Sequence, residues 1–338
     1  KIENIFPILI DDLIDLDEHF FLTTHKLAND QKIPEIKKLK PYKYQQRAID
    51  KIVSGFKINN RGKYIAACGS GKTLTSLWVK EELDSDKTLF VVPSIYLIKQ
   101  TLKEWIMQRS EHFAFCCICS GGDINVIEND EFDSIEDFVD LDPRDLGVQV
   151  TTSADELVNF LEENKSKKIV IFSTYQSSQV VSDAARIKNI NFDLTICDEA
   201  HKTAGVEKKV FSNILNDEFI NSKKRLFLTA TPKLLSAKAK ITAEKEEFSY
   251  ASMDDENIYG PPFDTFSFEE AIKEKAIVDY EILIMAFNEE DLLNFAQLNG
   301  ASSVNGRVVQ NKDIAITIGT EKLMSDPDYE VDKALNFS

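Results

Sequence analysis

Ala66-Ala67-Cys68-Gly69-Ser70-Gly71-Lys72-Thr73 decides how the rest of the chain is read. The run closes a short apolar stretch, Tyr64 to Ala67, and opens one with helical spacing, Thr73 to Leu83. Glycines on either side of Ser70 let the backbone turn its N–H groups toward a polyphosphate. The lysine can then reach the terminal phosphates, and the Thr73 hydroxyl can ligate Mg2+. Where such loops usually lead with glycine this chain has Ala66. Gly69, Ser70, Gly71, Lys72 and Thr73 are the candidate phosphate contacts.

Two later motifs follow apolar runs in the same way. Asp198-Glu199-Ala200-His201 comes after Leu194-Thr195-Ile196-Cys197, which sets a pair of carboxylates at a strand tip. Asp198 is the candidate to hold Mg2+ through its water shell, with Thr73 as the second metal-side residue, because this ion prefers octahedral oxygen ligands and keeps several waters. Glu199 is the candidate general base, and Lys72 is its partner at the phosphates. Thr229-Ala230-Thr231-Pro232 follows Leu226-Phe227-Leu228. Small hydroxyl residues there can exchange hydrogen-bond partners cheaply, and His201 can either relay the nucleotide state to Thr229 and Thr231 or be satisfied within its own turn.

Upstream, Pro41-Tyr42-Lys43-Tyr44-Gln45-Gln46-Arg47 combines aromatic rings, amides and a helix start. A glutamine amide matches the donor and acceptor edge of adenine, which would select ATP over GTP. The motif leaves open which glutamine acts. Gln45 is favoured, with Tyr44 as the adjacent aromatic contact.

Short β-rich runs alternate with amphipathic stretches through the middle of the chain. Strands are predicted over Tyr64 to Ala67, Thr88 to Val92, Phe113 to Cys119, Val148 to Thr152, Ile169 to Phe172, Leu194 to Cys197 and Arg225 to Leu228. Helices are predicted over Thr73 to Leu83, Tyr96 to Gln108, Ala154 to Glu163 and Lys208 to Phe219. Alternation of this kind means an α/β fold, a mostly parallel sheet with helices on both faces, and ligands collect at the carboxyl ends of its strands. Beyond Pro232 the expectation is a Lys- and Glu-rich helix over Leu234 to Glu247, a loop over Met253 to Pro262, a helix over Phe268 to Lys275 and a strand over Tyr280 to Met285. Residues 1–34 read as an N-terminal helical extension, 35–276 as the nucleotide domain, and 277–338 as a linker and the start of a second, truncated domain.

The chain has 338 residues and a formal net charge of −17. That balance argues against a protein that coats nucleic acid through bulk electrostatics, while leaving room for a local track. Much of the excess falls in about 121–147, where acidic residues from Asp123 to Asp145 face only Arg144, and this segment reads as a solvated insertion at the rim. Three of the five cysteines, Cys116, Cys117 and Cys119, sit in a strand-like run without a second pair or histidines at metal spacing. They read as small hydrophobes. Free thiols fit a reducing compartment, so the cytoplasm is the expected location, and no membrane partner is expected. The start at Lys1 and the lack of a closing element point to a piece of a longer protein.

The order KPYKYQQRAI, AACGSGKT, VVPS, STYQS, DEAH and TATP resembles the first RecA-like domain of a superfamily 2 DEAH-box helicase or translocase. The likeness is greatest to the restriction-enzyme-like branch, the motors of type I and type III systems and of single-polypeptide restriction-modification enzymes. It covers about Leu39 to Ile284. The resemblance implies a RecA-like P-loop domain that binds ATP and Mg2+ and couples hydrolysis to movement on double-stranded DNA. In it Gln45 reads adenine, Gly69 to Thr73 bind phosphates and Mg2+, Asp198 and Glu199 run hydrolysis, and His201, Thr229 and Thr231 couple it to movement. Ser94, Thr152, Thr174 and Gln176 match positions where such motors touch a nucleic-acid strand, holding phosphates without reading sequence. No arginine-rich helix resembles the last motif of the second RecA-like domain, which is the missing partner. The chain alone is therefore expected to turn over slowly. An RNA helicase of the same superfamily and an ATP-switched interaction module without translocation are the alternative readings.

Overall fold

The computed structural model describes residues 37–119, 150–206, 213–245 and 248–279, with two short strands near residue 305. In chain order the elements begin with α1 (Lys43–Gly55), β1 (Arg61–Ala66), α2 (Lys72–Glu82), β2 (Lys87–Val92), α3 (Ile95–Gln108), β3 (Ala114–Ile118) and β4 (Val150–Thr151). They continue with α4 (Ala154–Glu163), β5 (Ile169–Thr174), α5 (Ser178–Lys188), β6 (Asn191–Phe192), β7 (Leu194–Cys197), a 3-10 turn (Ala200–Thr203), β8 (Gly205–Val206) and β9 (Asn221–Ser222). Last come β10 (Arg225–Thr229), α6 (Ala237–Lys245), β11 (Tyr250–Ala251), α7 (Glu256–Tyr259), β12 (Pro262–Phe266), α8 (Phe268–Lys273), β13 (Ser303–Val304) and β14 (Arg307–Val308).

Eight strands form one sheet in the order β12-β1-β10-β7-β2-β5-β3-β4. Every pairing in it is parallel. Continuous apolar runs explain this: all six residues of β5 are buried, as a strand covered on both faces requires. Alternate residues then serve two separate cores. Phe90 and Val92 of β2 pack with Ala48 and Ile52 of α1, Leu77 of α2 and Trp105 of α3. Leu89 and Val91 point the other way, toward Leu157 of α4, Val181 of α5 and Tyr259 of α7. The expected α/β architecture, a largely parallel sheet sandwiched by helices, is the fold.

Cys116, Cys117 and Cys119 are buried in these cores as small apolar side chains. Burial pushes the Cys116 thiol up to about 12 and Cys117 well above its usual range. Among the described residues no disulfide joins the cysteines, no group of three or more His, Cys, Asp or Glu side chains is placed to hold a metal ion, and no helix is long and apolar enough to cross a membrane.

Two expectations need correction. Residues 213–219, the described part of the helix predicted over Lys208 to Phe219, form turns instead. The Asn216 side chain accepts the Glu218 N–H at 2.9 Å, while Arg61 takes the Leu215 carbonyl and Arg225 the Ile220 carbonyl, each at 2.7 Å. Local amide chemistry and Arg61 thus capture groups that the helix would pair internally, while Arg225 holds the chain just beyond it. The loop predicted over Met253 to Pro262 contains α7, and the unpredicted strand β12 begins at its end, beside β1. A proline and a buried aspartate, Asp264, conceal that strand in the sequence. Pro262 is tolerated because β12 is an edge strand. Asp264 is neutralised by Lys51 at 2.7 Å and Arg47 at 3.2 Å, both from α1.

The N-terminal extension 1–34, the acidic insertion 121–147 and the strand expected over Tyr280 to Met285 lie outside the described residues. Nearly all of the chain up to Val278 belongs to one compact unit, and Asp279 to Ser338 belong to a second, which has the antiparallel pair β13 and β14 among its described elements.

Candidate functional site

The loop between β1 and α2 has the shape a phosphate requires. Gly69 and Gly71 take φ values of 74° and 77°, a left-handed conformation that side chains disfavour. A Cβ on Gly71 would stand 2.6 Å from Gln45 Nε2. Ser70 is buried, and its Oγ has no hydrogen-bond partner, so the loop encloses a polar atom that the protein itself does not satisfy. Lys72 opens α2 and is nearly buried, with Nζ donating to the Ala66 carbonyl at 3.1 Å. An ammonium held against the loop's own backbone, an orphaned hydroxyl and two left-handed glycines together fit a polyphosphate.

Gln45 and Tyr44 support the loop from α1. Gln45 is 3% exposed; its Nε2 donates to the Ser70 carbonyl at 3.2 Å and its Oε1 accepts the Tyr42 N–H at 2.9 Å. Both ends of the amide are engaged with the main chain. The Tyr44 hydroxyl also donates to the Ser70 carbonyl, at 3.2 Å, and burial raises its pKa. Its ring stacks on Phe266, with centroids 4.3 Å apart, and on Tyr42, at 5.8 Å. Tyr42 is 69% exposed, which makes it the accessible ring of the three. Gln46 bonds instead to Asp50 on the helix surface.

Two strands away, β7 ends at the acidic pair. Asp198 is nearly buried, and its Oδ1 accepts the Glu199 N–H at 3.0 Å. Its backbone is held on both sides: the N–H donates to Val91, and the carbonyl accepts the Tyr175 hydroxyl at 2.7 Å. Tyr175 is completely buried, and desolvation lifts its phenol well above the ordinary range, so it stays a donor. The sequence offers this tyrosine only inside the Ser173 to Ser177 run. No local signal there points to its partner 23 residues on.

Glu199 adopts φ 46°, a strained backbone for a side-chain-bearing residue. Its Oε2 lies 3.3 Å from His201 Nδ1, and that nitrogen is 3.1 Å from Thr229 Oγ1 at the end of β10. Thr229 Oγ1 in turn bonds the Thr231 N–H at 3.2 Å. Because β10 lies between β1 and β7, the phosphate loop, the acidic pair and the threonine turn emerge from three neighbouring strands at one edge of the sheet.

The other candidates leave the second half of the same edge. Ser94 follows β2 and caps α3, its Oγ accepting the Leu97 N–H at 3.4 Å. Thr174 ends β5 and is buried, its Oγ1 accepting the Ser177 N–H. Gln176 is half-buried, and its Oε1 has no partner. Thr152 follows β4 and is exposed. Thr152 has an exposed hydroxyl that can donate, whereas the unpartnered Gln176 Oε1 is a buried acceptor.

This fold and this edge define a helicase-type ATPase domain related to restriction enzymes. Residues 38–234 match the sequence profile described as "Type III restriction enzyme, res subunit", and the chain belongs to that family. Over 193 residues it is 28% identical to a probable helicase of African swine fever virus, spanning 56% of this chain and 19% of the viral protein. Among solved structures it is similar to the ATP-dependent type ISP restriction-modification enzyme LlaBIII bound to DNA. That match has a TM-score of 0.66 and 29% identity, and covers 88% of this chain and 20% of that one. It is also similar to a nuclease-deletion mutant of the type ISP enzyme LlaGI in complex with a DNA substrate mimic, with a TM-score of 0.56 and 29% identity over 71% of this chain and 18% of that one. The chain therefore spans about a fifth of the length of these relatives.

Proposed function

We propose that this chain is the first nucleotide-gripping half of an ATP-driven motor that moves along double-stranded DNA, in a restriction-modification or related DNA-processing system. The observation that carries the reading is the contact from Glu199 through His201 to Thr229, which ties two of the three motifs together beside the phosphate loop. Gly69, Ser70, Gly71 and Lys72 hold the phosphates, and Lys72 exchanges the Ala66 carbonyl for phosphate oxygen. Thr73, in the first turn of α2, and Asp198, just past β7, would hold Mg2+; when bound, the ion would neutralise phosphate charge in the transition state.

Glu199 accepts the proton of the attacking water, oriented by its left-handed backbone and by His201. Any shift of that carboxylate is felt by His201 and passed to Thr229 and Thr231, which can switch hydrogen bonds. The base of ATP is assigned to the Tyr42, Tyr44 and Gln45 end of α1. There Gln45 must release a main-chain partner to read adenine, and Tyr42 offers a ring face. Ser94, Thr152, Gln176 and the backbone at Thr174 face the DNA phosphates. The chain by itself turns over slowly, because the arginines that complete such a site come from a second RecA-like domain; an arginine finger is worth about 10³–10⁵ in rate.

The test is ATP hydrolysis by the full parent protein with duplex DNA, single-stranded DNA or RNA added. Duplex stimulation that disappears in Glu199→Gln while ATP binding persists supports the reading. Stimulation by RNA alone assigns an RNA helicase instead. Nucleotide-dependent partner binding with no strand dependence of turnover assigns an ATP-switched interaction module.

A further inference from the structure

Trp105 of α3 reaches across to the phosphate-loop helix. Its indole Nε1 donates to the main-chain carbonyl of Thr73 at 3.1 Å, and the side chain is completely buried. Three rings grip it edge-on: Phe90 of β2 at 5.1 Å between centroids, Phe172 of β5 at 5.7 Å and Phe113 at 6.3 Å, with interplanar angles of 73°, 75° and 77°. β2 and β5 are the strands that lead to Ser94 and Thr174, and Ser94 caps α3 itself. One rigid side chain is thus clamped by the half of the sheet assigned to DNA. Its single polar atom is fastened to the residue assigned to the metal.

The Thr73 carbonyl also accepts the Ser76 hydroxyl at 2.6 Å, so it does not need the indole to be satisfied. What the extra bond fixes is position. Mg2+ tolerates little departure from octahedral geometry at about 2.0–2.1 Å, so a small drift of the first turn of α2 would weaken a Thr73 ligand without disturbing the apolar core. We propose that Trp105 is a positioning residue for Mg2+ at Thr73, and that it holds the phosphate-loop helix in register with the DNA-facing strands. This rests on the nucleotide reading given under Proposed function.

The experiment is Trp105→Phe in the full chain, with a nonhydrolysable ATP analogue titrated in EDTA and at graded Mg2+. Phenylalanine keeps an aromatic ring and removes the N–H donor together with part of the indole's volume, so a loss of stability is expected beside any change in Mg2+ dependence. The expected result is an affinity in EDTA within about twofold of wild type and a loss of about tenfold in the Mg2+-dependent gain. Wild-type Mg2+ dependence accompanied only by a lower unfolding temperature overturns the proposal and makes the bond merely structural. The chain has two tryptophans, so Trp78→Phe leaves Trp105 as a lone reporter, which decides the matter even if Trp105→Phe fails to fold. Its emission should change when Mg2+ is added to analogue-bound protein, and an emission blind to Mg2+ overturns the proposal. Should the wild-type chain bind no analogue, the nucleotide reading itself falls. Equal Mg2+-dependent binding in both proteins removes the role of Trp105 alone.

Discussion

The carboxyl edge of the sheet has two halves built on different economies of hydrogen bonding. On the β12, β1, β10 and β7 side, candidate residues touch one another across long sequence distances: Gln45 bonds to Ser70, and His201 to Thr229. On the β2, β5, β3 and β4 side, they bond within a few residues, as Ser94 does to Leu97 and Thr174 to Ser177. A small, highly charged ligand demands a cage whose parts are held in register. A polymer backbone needs only a row of independent donors on rigid strand ends. The cited bonds are compatible with the proposed division into a nucleotide half and a nucleic-acid half.

The largest separation between the halves is expected from Glu199→Gln. Turnover in the parent protein should fall about 10²–10⁴-fold with ATP affinity kept, since a positioned general base contributes that much. A loss of ATP binding of similar size would mean that the carboxylate is structural. The opposite end of the sheet supplies the control. There Asp217 bridges Arg61 and the buried Arg225, each at 2.7 Å. Asp217→Asn should lower stability by about 1–2 kcal/mol, less than a buried pair would because the carboxylate is 46% exposed, with neither ligand affected.

The two arginines hold the Asp217 pKa below its ordinary value. The stabilisation is thus complete at neutral pH and is lost as pH falls through the depressed folded pKa. Melting curves of wild type and Asp217→Asn should begin to draw together as pH falls below about 4 and meet only below the depressed folded pKa.

In the half proposed to face DNA, Ser94→Ala removes a helix cap and should cost about 1 kcal/mol of stability. Thr152→Ala, at an exposed hydroxyl, should leave stability within about 0.5 kcal/mol. Both should weaken DNA binding without changing ATP affinity, measured by anisotropy and analogue titration. The reverse pattern would erase the division. The finest distinction is a thiol count. Cys68, exposed in the phosphate loop, should react quickly with a maleimide, and the four buried cysteines only on unfolding. ATP with Mg2+ should slow Cys68 labelling, and duplex DNA should not.

Much of this arrangement is legible in the residues themselves. Strands covered on both faces declare themselves by unbroken apolar runs, so Leu194 to Cys197 reads with its true bounds. Glycines flanking Ser70 announce a left-handed loop because few other residues tolerate it. What local pattern hides is non-local compensation. β12 becomes a strand because α1 brings Arg47 and Lys51 to Asp264, more than 200 residues away. Residues 213–219 lose their helix to the Asn216 side chain and to Arg61 on β1. The engagement of the Gln45 amide and the burial of Thr174 depend on neighbours that spacing alone cannot supply.

The central claim is that loop, acidic pair and threonine turn make one pocket for ATP and its metal. Binding of a nonhydrolysable ATP analogue to wild type, Lys72→Ala and Asp198→Asn, each in EDTA and in saturating Mg2+, tests it most directly. Lys72→Ala should bind at least about tenfold more weakly in both conditions, since a charge-assisted bond to phosphate is lost. Asp198→Asn should match wild type in EDTA and fall behind only when Mg2+ is present. Wild-type affinity in both variants under both conditions would contradict the account.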